Sequence, residues 1–158
     1  MDCDGVLTDG RLYFSESGEA MKSFHVRDGQ GISDWHKAGF KTGIITGRGS
    51  GIVRARAKEL GIEFVIADSK DKSADVIRLI AEAGVSPMQT AFIGDDLGDL
   101  LAFAEVGLAI GVADAVDAVK RAAKYVTKTP GGHGAVREVI DLILQAKLIN
   151  SGDQQPGA

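Results

Sequence analysis

Four short apolar runs, at residues 41–46, 63–66, 90–94 and 107–110, each break off into a Gly- or Asp-rich turn before a helical pattern begins. Continuous apolar strands separated by helices predict a parallel sheet covered on both faces, since only a strand buried on both sides can dispense with polar residues. The helical segments fit that sheet. Val76, Leu79, Ile80 and Ala83 recur at i, i+3, i+4 and i+7, as do Val136, Val139, Ile140 and Ile143, while Val53, Ala57 and Leu60 form a weaker stripe. A further helix is expected over residues 32–40, with Trp35 in the core or an interface. The fold class is α/β, a Rossmann-like three-layer arrangement of helices on a parallel sheet.

Residues 11–26 break the rhythm. Leu12 and Phe14 alternate with Tyr13, Phe24 and Val26 are expected to face together, and a polar stretch with Gly18 lies between, which predicts a β-hairpin inserted after the first strand. A central strand of about five residues should precede Asp2, and residues 1–3 supply only part of it. The rest reads as a single domain over residues 1–149, with a polar Gly- and Pro-containing tail at 150–158 expected to be disordered.

The formal charge, 18 Lys and Arg against 22 Asp and Glu, is −4, and the basic residues are scattered. That excludes the basic footprint of a nucleic-acid or anionic-membrane binder and leaves a small molecule as the expected partner. One cysteine cannot form an internal disulfide, and neither an apolar leader nor an 18-residue apolar run is read, so a cytoplasmic location is expected. Glycine, at 21 of 158 residues, is about twice its usual share, which points to tight strand-to-helix turns and backbone brought close to a ligand.

Chemistry-bearing residues stand where the apolar runs end. Asp2-Cys3-Asp4-Gly5 sets two carboxylates two apart, on one face if the segment is extended, and then turns. Such a pair suits a hard divalent cation, or a nucleophile beside a general acid; an EF-hand loop is excluded because Leu7 stands where its glycine is needed. Gly43-Ile44-Ile45 ends in Thr46-Gly47-Arg48, a hydroxyl, a flexible backbone and a guanidinium, all donors to phosphate oxygens. Lys72, with Lys70 as a rival, opens the helix carrying Val76, where an anion is already favoured. Phe92-Ile93-Gly94 delivers Asp95, Asp96 and Asp99 together; helix capping accounts for one of these acids, and the others repel one another unless a cation or a cationic partner offsets them. In open α/β sheets ligands bind at the carboxyl ends of the strands.

This ordered set, DxDG, then Thr, then Lys, then GDDxxD, resembles the four motifs of phosphatases of the haloacid dehalogenase superfamily. The similarity extends through residues 24–29, 46–48 and 131–138 and covers nearly the whole chain, which resembles the small, capless 3-deoxy-D-manno-octulosonate 8-phosphate phosphatases that serve lipopolysaccharide precursor synthesis. The resemblance implies that Asp2 attacks phosphorus to form an aspartyl-phosphate. Asp4 then protonates the leaving oxygen and later deprotonates the attacking water. It implies Mg²⁺ on the carboxylates of Asp2 and Asp95 and the Asp4 carbonyl, with Asp99 or Asp96 in support. It further implies that Thr46 and Lys72 grip the phosphoryl oxygens and that Gly5, Gly47, Arg48 and Arg27 contact the substrate. The hairpin's apolar Leu12, Phe14, Met21 and Phe24 cannot all be buried within one small chain, and the resemblance implies a homotetramer in which hairpins pack together and a neighbour's C-terminal segment helps close the site. Two departures stand out: Ala67-Asp68 replaces a frequent Gln-Gly, and His133 stands where relatives often carry Arg.

The related capless phosphatases of nine-carbon sialic-acid-like phosphates tend to carry Glu after Thr-Gly, so Arg48 favours the eight-carbon sugar. A phospho-receiver module would place its metal acids together near the start and its Lys late, and Lys72 precedes Asp95-Asp96 here; an inactive interaction protein is the remaining alternative. His25, His36 and His133 show no metal-ligand spacing, Cys3 is expected to pack, and residues 47–51 lack the dinucleotide GxGxxG spacing.

Overall fold

The computed structural model describes residues 1–152. A hairpin of β1 (Tyr13–Ser15) and β2 (Gly18–Met21) comes first, followed by α1 (Val26–Lys37), β3 (Gly43–Thr46), α2 (Gly51–Glu59), β4 (Phe64–Ala67) and α3 (Lys72–Ala83). Then come β5 (Ala91–Gly94), α4 (Leu100–Phe103), β6 (Leu108–Gly111), α5 (Asp117–Ala122), β7 (Tyr125–Val126) and α6 (Ala135–Gly152), with short 3₁₀ turns at Pro87–Gln89 and Leu97–Asp99.

β3 pairs in parallel with β4, and β5, β6 and β7 form a second parallel set. Residues 1–2 join the two sets. The Asp2 N–H donates to the Ile93 carbonyl (3.0 Å) on one side, and the Ile45 N–H donates to the Met1 carbonyl (3.0 Å) on the other. The resulting spatial order is β4, β3, residues 1–2, β5, β6, β7, which puts Asp2 at the centre of the sheet with Thr46 and Gly94 at neighbouring strand ends. Right-handed crossovers then place α1 and α2 on one face and α3, α4 and α5 on the other. α6 packs on α1, where Gly31 faces Arg137 and Ile140, while Gly29 on α1 faces Arg56 and Leu60. The core between these layers holds Val6, Ile32, Ile44, Val53, Ile110, Val112, Val119 and Val136, all fully buried.

Three expectations change. α1 begins at Val26, six residues before the expected helix start, because the His25 side chain caps it by accepting from the Arg27 N–H. The paired strands of the hairpin therefore end at Met21. Phe24 packs against the core under the Arg56 guanidinium, which lies 5.5 Å from the ring centre, while Val26 is 79% exposed. α6 runs through Gly152, so its last three residues fall within the segment expected as a tail; the remainder of that segment lies outside the described residues.

Candidate active site

After Asp2 the chain does not stay extended. The N–H groups of Val6, Leu7 and Thr8 all turn back onto the Cys3 carbonyl at 2.9–3.3 Å, so Asp4 sits in a turn and not on the strand face beside Asp2. The turn is held from the far end of the chain. Gly132 N–H donates to the Val6 carbonyl (2.9 Å), and Gly131 approaches so closely that a Cβ there would fall 1.7 Å from the Gly5 carbonyl oxygen. Gly5 itself has φ +87°, and a Cβ on it would meet Asp95 Oδ2 at 2.1 Å. Only glycine lets the loop lie against that carboxylate.

Asp2, Asp4, Thr46, Gly47, Arg48, Lys72, Asp95, Asp96 and Asp99 line one cleft of about 590 Å³ at the carboxyl end of the sheet, together with Leu12 of the hairpin segment and Asp68. Gly5 lies beneath it against Asp95. Arg27 is exposed in the first turn of α1, and His133 is exposed with Nδ1 2.7 Å from the Gly131 carbonyl; neither lines the cleft.

Asp2 is buried, its Oδ1 accepting from the Cys3 N–H (2.7 Å) and its Oδ2 2.9 Å from Lys72 Nζ. Lys72, the first residue of α3 after the N-cap Asp71, also meets Asp99 Oδ1 at 2.5 Å. Asp99 Oδ2 accepts from the N–H groups of Asp95 (2.9 Å) and Asp96 (3.2 Å). The three acids of residues 95–99 thereby separate. Asp99 is fully buried and committed on both oxygens, Asp96 is exposed and caps the 3₁₀ turn through the Leu97 N–H, and Asp95 keeps a buried Oδ1 with no hydrogen-bond partner.

Ligand oxygens of Asp2, Asp95 and Asp99 lie within 4.8 Å of one another. Three carboxylates against the one contacting ammonium leave two negative charges, which a divalent hard cation would balance. Without one, burial and then the Asp2 and Asp99 charges push the Asp95 carboxyl up to about 7, and burial and Asp99 push Asp2 up to about 6. Burial opposes the charge of Lys72, but Asp2 and Asp99 hold its pKa above the ordinary value. The orphaned Asp95 oxygen, the adjacent Asp2 and the oxygen-only donor set fit Mg²⁺. Cys3 is fully buried with its thiol pushed up to about 12, by burial and then by Asp4, which makes it a packing residue and not a nucleophile.

At the rim, Thr46 Oγ1 accepts from the Arg48 N–H (3.2 Å), which shapes the strand tip and leaves the Arg48 side chain exposed. Asp68 adopts φ 61° and accepts from the Gly49 N–H (3.0 Å). A residue with no sequence signal is Lys22, just after β2. Its side chain is 1% exposed, and Nζ lies 2.5 Å from Asp4 Oδ1 and 2.8 Å from Glu19 Oε1.

A family model for haloacid dehalogenase-like hydrolases matches residues 25–107. The chain is 48% identical over 146 residues to the 3-deoxy-D-manno-octulosonate 8-phosphate phosphatase KdsC of Haemophilus influenzae, covering 92% of this chain and 81% of that protein. It superposes with a TM-score of 0.91 on the cobalt-bound form of the Haemophilus influenzae deoxy-D-mannose-octulosonate 8-phosphate phosphatase, at 48% identity and covering 92% and 85% of the two chains. The corresponding phosphatase of Moraxella catarrhalis, solved with magnesium, phosphate and a KDO molecule, superposes with a TM-score of 0.88 at 39% identity, covering 97% of this chain and 90% of that one. With its strand-end carboxylates, Thr46 and Lys72 in one cleft, the chain belongs to the haloacid dehalogenase-like hydrolase family.

Proposed function

We propose that this chain is a Mg²⁺-dependent phosphomonoesterase that hydrolyses 3-deoxy-D-manno-octulosonate 8-phosphate to the free sugar acid and phosphate, a reaction of lipopolysaccharide precursor synthesis. The observation that carries the reading is the buried Asp2–Lys72–Asp99 chain beside the unpartnered Asp95 oxygen, all in one cleft with Thr46 and Arg48. Asp2 is the nucleophile, its free rotation removed by Lys72 and the Cys3 N–H. Asp4 gives its proton to the departing sugar oxygen and then takes one from the water that hydrolyses the aspartyl-phosphate. Lys72 and the Thr46 hydroxyl hold phosphoryl oxygens. Mg²⁺ would be held by the carboxylates of Asp2 and Asp95 and the Asp4 carbonyl, with Asp99 fixing the loop behind them, and when bound it supplies charge neutralisation to the phosphoryl group.

Arg48 selects the substrate. An exposed guanidinium at the rim can pair bidentately with the carboxylate of an eight-carbon sugar acid. The test is kcat/KM on eight- and nine-carbon sugar phosphates for wild type and Arg48→Glu. Losing one charge-assisted bond costs about 1.5–3 kcal/mol, so Arg48→Glu loses at least about tenfold on the eight-carbon substrate. A wild-type preference for the nine-carbon phosphate, or indifference to Arg48→Glu, overturns the substrate and leaves the phosphatase reading standing. The assembly we propose is a cytoplasmic homotetramer joined through the hairpins, supported by the exposed Leu12, Phe14 and Met21. Light scattering that returns a monomer at micromolar concentration overturns it.

A further inference from the structure

We infer that Lys22 is a positioning residue for the general acid: the hairpin delivers a buried ammonium to Asp4 Oδ1 and so fixes the carboxyl group that protonates the leaving oxygen. The inference rests on the reading of Asp4 given above and adds to it a residue from outside the four strand-end motifs. A buried lysine is costly unless paired, and Lys22 is paired twice, with Asp4 at 2.5 Å and Glu19 at 2.8 Å. Glu19, on β2, balances one charge. The second contact reaches across the cleft wall to the turn of residues 3–8, which has no other side-chain anchor to the hairpin among the described hydrogen bonds.

With a side chain 1% exposed, Lys22 does not line the cleft, and its effect has to pass through Asp4. An ammonium group has three donors and no acceptor. Lys22 holds Oδ1, with the Thr8 hydroxyl at 3.5 Å from the same oxygen, while Oδ2 has no hydrogen-bond partner among the described residues, so the orientation of the carboxyl group is set from the Lys22 side. In the first step an Asp2 oxygen forms the new bond to phosphorus while the bond from phosphorus to the sugar oxygen breaks. The bonding pair leaves on that oxygen, which takes the Asp4 proton and departs as an alcohol; Asp4 is left as a carboxylate facing the Lys22 ammonium. Without Lys22 the carboxyl group is free to rotate, and both oxygens compete for the proton and for water.

The experiment compares kcat/KM for the eight-carbon sugar phosphate, whose alkoxide needs a proton to leave, with that for p-nitrophenyl phosphate, whose phenolate leaves without one. Both are measured at saturating Mg²⁺ for wild type, Lys22→Met and Asp4→Asn. General acid catalysis is worth about 10²–10⁴-fold. Lys22→Met is expected to lose at least about tenfold on the sugar phosphate and less than about threefold on p-nitrophenyl phosphate. The ratio of the two does not depend on the folded fraction. Should the single variant fail to fold, Glu19→Gln combined with Lys22→Met removes Lys22 without leaving the Glu19 carboxylate unpaired, and the same ratio is read. Equal losses on both substrates, or none on either, overturn the positioning role. If Asp4→Asn itself lowers both substrates equally, the reading of Asp4 as the acid falls and this inference with it; if Asp4→Asn is selective and Lys22→Met is not, the inference alone falls.

Discussion

Replacing Asp95 by asparagine should stabilise the metal-free protein at the pH where the enzyme would work. Asp95 Oδ1 is buried without a partner, so the amide forfeits no protein hydrogen bond there, and Asn keeps the shape that Gly5 packs against. What is removed is a charge that burial and the neighbouring Asp2, Asp99 and Asp96 disfavour, raising the carboxyl from 3.8 to about 7. Each unit is about 1.36 kcal/mol, which gives roughly 4 kcal/mol; because the group is partly open to cleft water, about 2 kcal/mol is the usable figure. A carboxyl with a raised folded-state pKa keeps its proton where the unfolded chain has lost it, so its penalty is absent below about pH 4, grows as the pH climbs, and is complete above about pH 7. In chelator, Asp95→Asn and wild type should therefore melt together near pH 4 and diverge upward, the variant leading by roughly 4–8 °C at pH 8. Saturating Mg²⁺ should reverse the order, since only wild type gains binding energy. Scanning calorimetry across that range, with and without metal, is the assay. A metal-free variant that melts below wild type at pH 8 would show that Asp95 supports the fold by contacts and not through a vacated cation site.

Asp2→Asn should abolish turnover of any phosphomonoester while leaving the circular dichroism spectrum unchanged, because the Cys3 N–H contact survives and the anionic nucleophile does not; residual activity near that of wild type at saturating Mg²⁺ rules out Asp2 as the nucleophile. Gly131→Ala should cost at least about 2 kcal/mol in urea unfolding, since the new methyl meets the Gly5 carbonyl and backbone has to move. A neutral effect would mean the loop yields freely.

The strand ends could be read from sequence because each apolar run stops where its chemistry begins, and the runs expected at 41–46, 63–66, 90–94 and 107–110 lie within one or two residues of β3 to β6. The segments that could not be read depend on contacts distant in sequence. Lys22 follows a polar hairpin and looks like a solvated lysine until the turn brings Asp4 beside it, 18 residues back. Spacing alone cannot order Asp95, Asp96 and Asp99; the 3₁₀ turn decides which one faces inward. Residues 24–27 carry an alternating apolar pattern that suggests a strand, and a single capping contact from His25 turns them into the start of a helix, carrying Arg27 away from the cleft. β7, at two residues, is too short to leave a pattern.

The loop holding Asp4 is braced on one side by Gly131 and Gly132, where a methyl at either position would collide with backbone of residues 5–9. That brace is main chain against main chain and does not line the cleft, so a change there alters the catalytic loop before it alters any surface the substrate meets. Variation in what the enzyme accepts falls instead to the side chains of Leu12 in the hairpin segment, Arg48 at the strand tip and Asp68, which line the cleft outside the strand-end acids, Thr46 and Lys72. An engineer seeking a different sugar phosphate would randomise those positions and leave the glycine side untouched.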